Sequence, residues 1–298
     1  MTDARTDRSG LDALRRPSGA FAMLAVDQRE ALRVMMTEAL GADEPVDDAA
    51  VLEFKLTAAR LLTPFASAVL IDRQFAWDAA VEAGVVADGC GLISSADLFV
   101  PAHGQLVGEV EIDRLVDPAR VRDQGAVAMK LLVLHRIDQS ADARRAMVDE
   151  FVGRCDGAGL ASIIEPVCRP PLDPSLAWDH DDAIIAAAEE LGSRGADLYK
   201  GEMPLQGAGD EAEMRERCRA ISAAVASPWV ILSSGVAESD FPTAVRVAAE
   251  EGASGFLAGR AVWASCLGAP DVAACLRGAA ATRLQEFAAA ADRAVSAR

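Results

Sequence analysis

Lysine is almost absent from this sequence. Of the 29 cationic residues only Lys55, Lys130 and Lys200 are lysines, and all the others are arginines. The sequence also has only three histidines and a single tyrosine. Because arginine serves wherever a surface cation is needed, each lysine is a candidate for chemistry that requires an amine.

Positive charge is in deficit as well. The 46 acidic and 29 basic residues leave a net charge of −17 at pH 7. Such a surface repels phosphate backbones and anionic lipid, so we expect neither a nucleic-acid nor a membrane partner. An anionic ligand must then be bound by a few cations gathered at one place.

Long apolar runs are missing too. No stretch reaches the ~18 uninterrupted apolar residues of a membrane helix, and the charged N-terminus has no apolar signal-peptide core. The six cysteines are scattered without close pairing, which is typical of reduced thiols. These absences predict a cytoplasmic protein without disulfides.

The chain is instead rich in short apolar runs that alternate with helical patterns. Helix N-cap residues such as Asp47, Ser140 and Asp179 precede several of these patterns. Near-continuous apolar runs are typical of strands buried on both faces of a parallel sheet. Eight runs are predicted to be strands: 21–27, 68–72, 91–95, 127–134, 161–166, 196–200, 229–233 and 255–258.

The spacing of these runs favours an α/β fold, a single (β/α)₈ TIM barrel, over the alternative of a doubly wound sheet. No linker divides the chain, so we expect one domain over 1–298. Residues 1–18 are predicted to be an N-terminal extension or helix, and 271–298 a C-terminal helix. Two long connections, 97–125 and 204–210, are candidate lids.

Five charged residues interrupt or end otherwise apolar runs. In a barrel, the C-terminal ends of the strands carry the active site. An unpaired charge there is costly, so each of these side chains must pair or bind a ligand. The five are Asp27, Asp72, Lys130, Glu165 and Lys200.

Lys130 and Lys200 are the most informative pair. They lie on alternate strands, whose inward side chains share a layer in this fold, so their amines are expected to lie close together. A neighbouring ammonium and partial burial both lower a lysine pKa, which favours attack on a carbonyl to form a Schiff base. Glu165, on the strand between them, is positioned to move protons. The alternative is a salt-bridged cluster with no catalytic role.

Two turns after the last strands have the composition of a phosphate site. They contain the sequences SSGV and AGRAVW. Glycine allows close approach of backbone N–H groups to an oxyanion, and arginine offers a bidentate fork. We predict substrate contacts from Ser233, Ser234, Gly235, Gly259 and Arg260, although two ordinary tight turns are the alternative. The pattern as a whole predicts a phosphorylated carbonyl substrate.

Residues after the first two strands are also predicted to contact the substrate: Gln28, Arg29 and Asp72. No metal or other cofactor is expected, because the histidines lack ligand spacing and no Walker or G-x-G-x-x-G motif occurs. Lys55 lies in a helical pattern and is interpreted as a surface lysine. Two further hypotheses stay open, a non-catalytic phosphosugar-binding barrel and a metal-dependent aldolase or isomerase.

Six blocks, in unbroken order from about Gly19 to the C-terminal helix, resemble the class I Schiff-base aldolases that include tagatose-1,6-bisphosphate aldolase. They are FAMLAVDQRE, KLLVL, SIIEPV, ADLYKGEMP, WVILSSGV and GASGFLAGRAVWAS. Within that group the sequence is most similar to the branch acting on 6-deoxy-6-sulfofructose 1-phosphate. The resemblance implies reversible, metal-free cleavage to dihydroxyacetone phosphate and 3-sulfolactaldehyde, in sulfoquinovose degradation, by a homo-oligomer, a dimer or tetramer.

The resemblance also implies roles for individual residues. Lys200 would form the Schiff base beside Lys130, and Glu165 and Asp27 would transfer protons or contact substrate hydroxyls. The residues of the two turns would hold the phosphate of the dihydroxyacetone phosphate half. The tagatose branch has a glutamate near the end of its third strand, where this chain reads LISSADLF. That difference favours the sulfosugar branch and makes Asp97 a candidate substitute.

The group at the far end of the substrate is left open by the sequence. Arg29, Arg73 and Arg169 follow strands and could meet a sulfonate, but arginine binds phosphate equally well. A tagatose or fructose 1,6-bisphosphate aldolase, releasing glyceraldehyde 3-phosphate, is therefore the alternative to a sulfosugar enzyme.

Overall fold

The computed structural model describes residues 9–298 and contains a closed barrel of eight parallel strands. Around the barrel the strand order is β1-β10-β9-β8-β7-β6-β3-β2. Each predicted run overlaps one of these strands, which confirms the (β/α)₈ TIM barrel. The strands are β1 (Phe21–Ala25), β2 (Ala68–Ile71), β3 (Gly91–Ser95), β6 (Ala126–His135), β7 (Ala161–Cys168), β8 (Leu198–Gly201), β9 (Trp229–Leu232) and β10 (Gly255–Ala258).

Helices follow the strands and cover the outside of the barrel. In chain order they are α1 (Ser9–Asp12), α2 (Glu30–Leu40), α3 (Asp48–Leu62), α4 (Trp77–Glu82), α5 (Pro118–Asp123), α6 (Ala141–Ala158), α7 (His180–Leu191), α8 (Glu211–Ala224), α9 (Phe241–Glu250), α10 (Arg260–Trp263), α11 (Val272–Cys275) and α12 (Ala281–Ser296). Short 3₁₀ turns occupy Thr63–Phe65, Pro204–Gly207 and Ala264–Cys266.

The predicted helix starts are present because polar side chains bind otherwise unpaired backbone N–H groups there. The Asp47 carboxylate accepts from the backbone of Ala50 at 2.8 Å, and the Ser140 hydroxyl accepts from Ala143 at 3.2 Å. At its other end α6 stops at Gly159, whose φ of 70° suits glycine. At the C-terminus α11, a π turn over Leu276–Ala280 and α12 follow one another without a break.

The core has two parts, separated by the barrel wall. The larger lies between the strands and the surrounding helices, and the smaller fills the barrel interior. Leu11 and Leu14, near α1, belong to the inner part. Leu14 packs beside Gly91, the first residue of β3, so this segment closes the N-terminal end of the barrel. The opposite, C-terminal end is therefore the end left for a site. Residues 1–8 of the predicted N-terminal extension lie outside the described residues.

The connection 97–125 is more ordered than a loop. It contains an antiparallel hairpin of β4 (Asp97–Ala102) and β5 (Gln105–Ile112), followed by α5. The connection 204–210 begins with a 3₁₀ turn in which Leu205 and Gln206 have positive φ, 53° and 49°. The role of either segment as a lid stays a prediction. Within residues 9–298, no helix has the length and apolar character needed to span a membrane.

The prediction that the chain has no disulfide is wrong. Cys266 and Cys275 are joined, with their Cα atoms 5.5 Å apart. The 3₁₀ turn that ends at Cys266 reverses the chain so that α11 returns beside it, a proximity that a separation of nine residues does not reveal. Four other cysteines are free: Cys90, Cys155, Cys168 and Cys218.

Candidate active site

A charged network lies inside the C-terminal mouth of the barrel, built around Glu165. Its two carboxylate oxygens contact different lysines: Oε1 lies 2.7 Å from Lys200 Nζ and Oε2 lies 2.9 Å from Lys130 Nζ. This proximity follows from strand order, because β7 lies between β6 and β8 and pairs with both. The predicted grouping of the two lysines with Glu165 is thus present in the structure.

Lys130 is enclosed by carboxylates. Besides Glu165, its Nζ contacts Asp27 Oδ2 at 2.7 Å and Asp97 Oδ2 at 2.9 Å, and its side chain is fully buried. Burial by itself would lower the pKa of Lys130, but the three carboxylates raise it well above its ordinary value. Lys130 therefore remains an ammonium ion, so the lowered pKa expected for one of the two lysines does not occur at this residue.

The aspartates respond in the opposite direction. Burial would raise the pKa of Asp27, but Lys130 and Lys200 hold it well below its usual range. The pKa of Asp97 is also lowered, by Lys130 and Arg29 against the effect of burial. Both aspartates are therefore anionic at neutral pH, and they fix the charge of Lys130.

Lys200 has a different environment. The one carboxylate in ion-pair contact with its amine among the described residues is Glu165, and its side chain is 4% exposed at the barrel mouth. A carboxylate in contact with an amine can take the proton that the amine must lose before it attacks a carbonyl. Of the two mouth lysines, Lys200 is therefore the one placed to act as a nucleophile.

Asp97 is the residue that sequence reasoning placed least securely, and the structure gives it a central position. Its Oδ1 accepts from Arg29 Nη2 at 2.5 Å and from the Ser95 hydroxyl at 2.8 Å. Its Oδ2 accepts from Lys130 and from the backbone N–H of Leu132. Arg29, which was predicted to contact the substrate, is 4% exposed, and its guanidinium donates hydrogen bonds to Asp97 and Ser95.

The two predicted phosphate turns lie side by side. The Ser233 hydroxyl accepts from the backbone N–H of Gly259 at 3.3 Å, and Arg260 Nη2 donates to the Ser234 hydroxyl. Gly235 has a φ of 80°, which permits the turn. Burial lowers the pKa of Arg260, while the nearby Glu165 and Asp27 oppose that shift. The arginine of the turn thus lies within electrostatic range of the lysine network.

Gln28 joins the first strand to this group. A Cβ atom added to Gly259 would lie 2.9 Å from Gln28 Nε2, so the amide is packed against the second turn. Its Oε1 is buried and has no hydrogen-bond partner among the described residues. A buried acceptor without a donor is costly unless a ligand or water satisfies it.

Asp72 is placed elsewhere. It is fully buried, one oxygen contacts Lys55 Nζ, and the other accepts from the backbone N–H of Phe75 at 2.8 Å. The interpretation of Lys55 as a surface lysine is wrong, since it is 1% exposed. A helical pattern cannot show that α3 turns this position toward β2. The predicted substrate contact of Asp72 stays a prediction. Both of its carboxylate oxygens bind Lys55 or Phe75 within the protein.

Glu202, two residues after Lys200, was not among the predicted site residues. Its Oε2 accepts from the backbone N–H of Cys168 at 2.6 Å, and its Oε1 lies 3.5 Å from His180 Nε2. This contact raises the pKa of His180, with burial opposing it. The signal was available, because Glu202 also follows a strand at the C-terminal end of the barrel.

No group of three or more His, Cys, Asp or Glu side chains that could hold a metal ion occurs within residues 9–298. The carboxylates of the mouth are neutralised by lysine and arginine instead. The arrangement brings together an amine at the barrel mouth, a carboxylate in contact with it, and two turns joined by Arg260.

Solved structures of aldolases share this fold. A fructose-bisphosphate aldolase from Plasmodium falciparum has a TM-score of 0.68 and 14% identity, covering 95% of this chain and 93% of its own. A Schiff-base-forming fructose-1,6-bisphosphate aldolase has a TM-score of 0.62 and 15% identity, covering 95% and 98%. These similarities confirm the TIM-barrel fold.

The sequence comparison is more specific. Residues 21–265 match the DeoC/LacD family aldolase pattern, so the chain belongs to the DeoC/LacD aldolase family. Tagatose 1,6-diphosphate aldolase from Listeria monocytogenes is 28% identical over 284 residues, covering 86% of this chain and 80% of that protein. Family and relatives together indicate an enzyme, a class I ketose-phosphate aldolase.

Proposed function

We propose that the protein cleaves 6-deoxy-6-sulfofructose 1-phosphate reversibly into dihydroxyacetone phosphate and 3-sulfolactaldehyde through a Schiff base on Lys200. The observation that carries the proposal is the contact of Lys200 Nζ with Glu165 Oε1 at 2.7 Å. The neighbouring Lys130 is kept cationic by three carboxylates. One amine is thereby available for attack, and the other stabilises the negative charge around it.

The reaction begins at C2 of the ketose. The neutral Lys200 amine attacks the C2 carbonyl, and loss of water from the carbinolamine gives an iminium ion. Glu165 accepts the amine proton and can return it to the departing hydroxyl. We assign the phosphate of C1 to Ser234, Gly235, Gly259 and Arg260, where the two turns adjoin.

Carbon–carbon cleavage follows. Removal of the C4 hydroxyl proton by Glu165 or Asp27 lets the C4 aldehyde form, while the C3–C4 bonding electrons move into the iminium to give an enamine. Protonation of the enamine at C3 and hydrolysis of the resulting iminium release dihydroxyacetone phosphate and restore the amine. Neither a redox step nor an additional reactant apart from water is needed.

The sulfosugar is favoured by the end of β3. The tagatose branch of this family carries a glutamate near that point, whereas Ser95 and Asp97 occupy it here and bind Arg29. The Listeria relative acts, by its name, on tagatose 1,6-diphosphate, and that bisphosphate is the second candidate substrate. Cleavage rates with both substrates and with fructose 1,6-bisphosphate decide between them. A preference for either bisphosphate contradicts the sulfosugar assignment.

Borohydride trapping tests the Schiff base. With dihydroxyacetone phosphate and borohydride we expect one adduct, mapped to the peptide that carries Lys200, and no cleavage activity in Lys200→Met. Only two other lysines are present, so assignment by mass is unambiguous. Lys130→Met is the matched control, because its Lys200 can still be trapped even if turnover falls.

The outcome also separates the competing functions. A folded protein that binds dihydroxyacetone phosphate but forms no adduct would be a non-catalytic sugar-phosphate binder or an aldolase of another mechanism. Substantial turnover by Lys200→Met would overturn the assignment of the nucleophile. We further propose that the protein is a cytoplasmic homo-oligomer. Sedimentation of the purified protein tests the oligomeric state.

A further inference from the structure

Arginines follow five of the barrel strands at the catalytic mouth, and they fall into two groups. Arg29 Nη2 pairs with Asp97 at 2.5 Å, and Arg73 Nε pairs with Asp113 at 2.7 Å. The other three have no carboxylate in ion-pair contact within residues 9–298, although acidic residues outnumber basic ones in this chain. They are Arg136, Arg169 and Arg260.

Arg169 is held by its backbone while its side chain has little to bind. Its N–H donates to the His135 carbonyl at 3.0 Å, which extends the pairing of β6 with β7 by one residue. Two prolines follow it and restrict the chain. Among the described residues, the half-buried guanidinium makes one hydrogen bond, to the carbonyl of its neighbour Cys168 at 3.1 Å.

Arg136 holds the backbone next to Arg169. It is 1% exposed, and its guanidinium donates to the Pro170 carbonyl at 2.9 Å and to Gln105 Oε1 at 2.6 Å. Its Nε is buried without a hydrogen-bond partner in the described structure. Arg136 thus ties the residue after Arg169 to the β5 hairpin strand and adds a second positive charge.

Within residues 9–298 these arginines have carboxylates nearby but none in ion-pair contact. Burial lowers the pKa of Arg136, with Arg169 acting in the same direction and Asp138 opposing it. Burial also lowers the pKa of Arg260, against nearby carboxylates such as Glu165. Glu202 lies in the same region, but its oxygens are engaged by Cys168 and His180. Cations assembled this closely become favourable when an anion binds between or beside them.

We propose that Arg169, positioned by Arg136, binds a second anionic group of the substrate, at the end remote from the phosphate on Arg260. In the barrel order β10-β9-β8-β7, the strand of Lys200 lies between the strands that precede these two arginines. A substrate spanning them would present its middle carbons to the amine. This inference rests on the proposed function and adds the residue that selects a sulfonate or phosphate at C6.

Kinetics with matched substrates test the proposal. Fructose 1-phosphate has a neutral C6 hydroxyl, fructose 1,6-bisphosphate a phosphate, and 6-deoxy-6-sulfofructose 1-phosphate a sulfonate. Arg169→Gln should raise KM for the two anion-ended substrates about ten- to a hundredfold, the usual loss for a charge-assisted hydrogen bond, and leave that for fructose 1-phosphate unchanged. Arg169→Lys should restore part of the loss.

Arg73→Gln is the matched control, because Arg73 follows a strand at the same mouth but is paired with Asp113. It should not change the ratio of KM values between anion-ended and neutral-ended substrates. An equal loss with fructose 1-phosphate in Arg169→Gln, or the same change of ratio in Arg73→Gln, overturns the proposal. Of the sulfonate-ended and phosphate-ended substrates, the one whose KM rises more in Arg169→Gln carries the natural end group.

Binding separates this inference from the aldolase assignment. In Lys200→Met, which cannot turn over, calorimetry should show that fructose 1,6-bisphosphate binds more tightly than fructose 1-phosphate, and Arg169→Gln should abolish the difference. A preference that survives the second substitution refutes the anion site, whatever the catalytic result. Absence of turnover in the wild type, with the preference lost in Arg169→Gln, refutes the aldolase function alone.

Discussion

The three lysines of this chain occupy three different environments, and each environment sets the behaviour of the amine. Among the described residues, Lys55 forms a buried ion pair with Asp72, Lys130 contacts three carboxylates, and Lys200 contacts one carboxylate. An amine with one proton acceptor can be neutralised and attack a carbonyl, whereas one held by three anions cannot. Residue type alone does not separate them.

The buried pair of Lys55 and Asp72 is expected to stabilise the wall between α3 and β2. Lys55→Met should lower the free energy of unfolding by about 3–5 kcal/mol, because it leaves a carboxylate buried without its cation. Urea denaturation measures the loss. Lys55→Met combined with Asp72→Asn should lose less than the sum of the single variants, and strict additivity would mean that the pair is not coupled.

At the scale of elements, the N-terminus of α7 organises the rim beside Lys200. The Asp179 side chain caps the helix through the Asp182 N–H at 3.0 Å, and His180 reaches Glu202. The Asp181 carboxylate accepts from the N–H of Leu205 at 2.7 Å, holding a residue with positive φ. This helix end therefore fixes both the residue after β8 and the start of the 204–210 connection.

The contact of His180 with Glu202 makes the docking of α7 depend on pH. Because the pKa of His180 is raised in the folded state, its stabilisation is complete below about pH 6.5, the unfolded value, and disappears as pH rises through the folded value. The difference in unfolding free energy between wild type and His180→Gln should therefore shrink as pH increases.

Urea unfolding at a series of pH values from about 5 to 9 spans the titration. His103→Gln is the control, since the side chain of His103 is 41% exposed and its 3.5 Å contact with Glu109 lies on the hairpin, away from α7. A difference for His180→Gln that grows with pH would contradict the assigned direction.

At the scale of the whole molecule, barrel closure gathers residues that are far apart in sequence into one mouth. Asp27, Asp97, Lys130, Glu165 and Lys200 come from five different segments, and the three carboxylates among them join the two lysines in one network. The hairpin of β4 and β5 adds Asp97 and Gln105 to the same end. The inner core below the mouth is built from apolar side chains.

This arrangement predicts indifference to metal removal. If cleavage proceeds through the Lys200 iminium, the electron sink is covalent, and EDTA should leave kcat and KM for the preferred ketose phosphate unchanged. Activity is compared before and after dialysis against EDTA, and again after adding Zn²⁺ or Mg²⁺. Loss with EDTA and recovery with either ion would instead support a metal-dependent reaction.

Local sequence patterns are enough to predict the barrel and most of the residues at its mouth. Apolar runs bounded by helix caps indicate strands. A charged residue that ends a buried run, such as Glu165 or Lys200, must form an ion pair or line a functional site. Such signals are local, so they can be recognised in the sequence alone. Glu202 obeys the same rule and could have been found by applying it two residues further along.

The partners of those charged side chains, in contrast, depend on the folded arrangement of the whole chain. The burial of Lys55 against Asp72, the binding of Lys130 by Asp97 and the pairing of Cys266 with Cys275 each join segments whose separation in space depends on helix rotation or chain reversal. Electrostatic energy and pKa depend on distances of a few ångströms, which the order of residues does not specify. The same is true of Arg169, because the neighbours that leave it without a carboxylate contact within residues 9–298 are set by the fold.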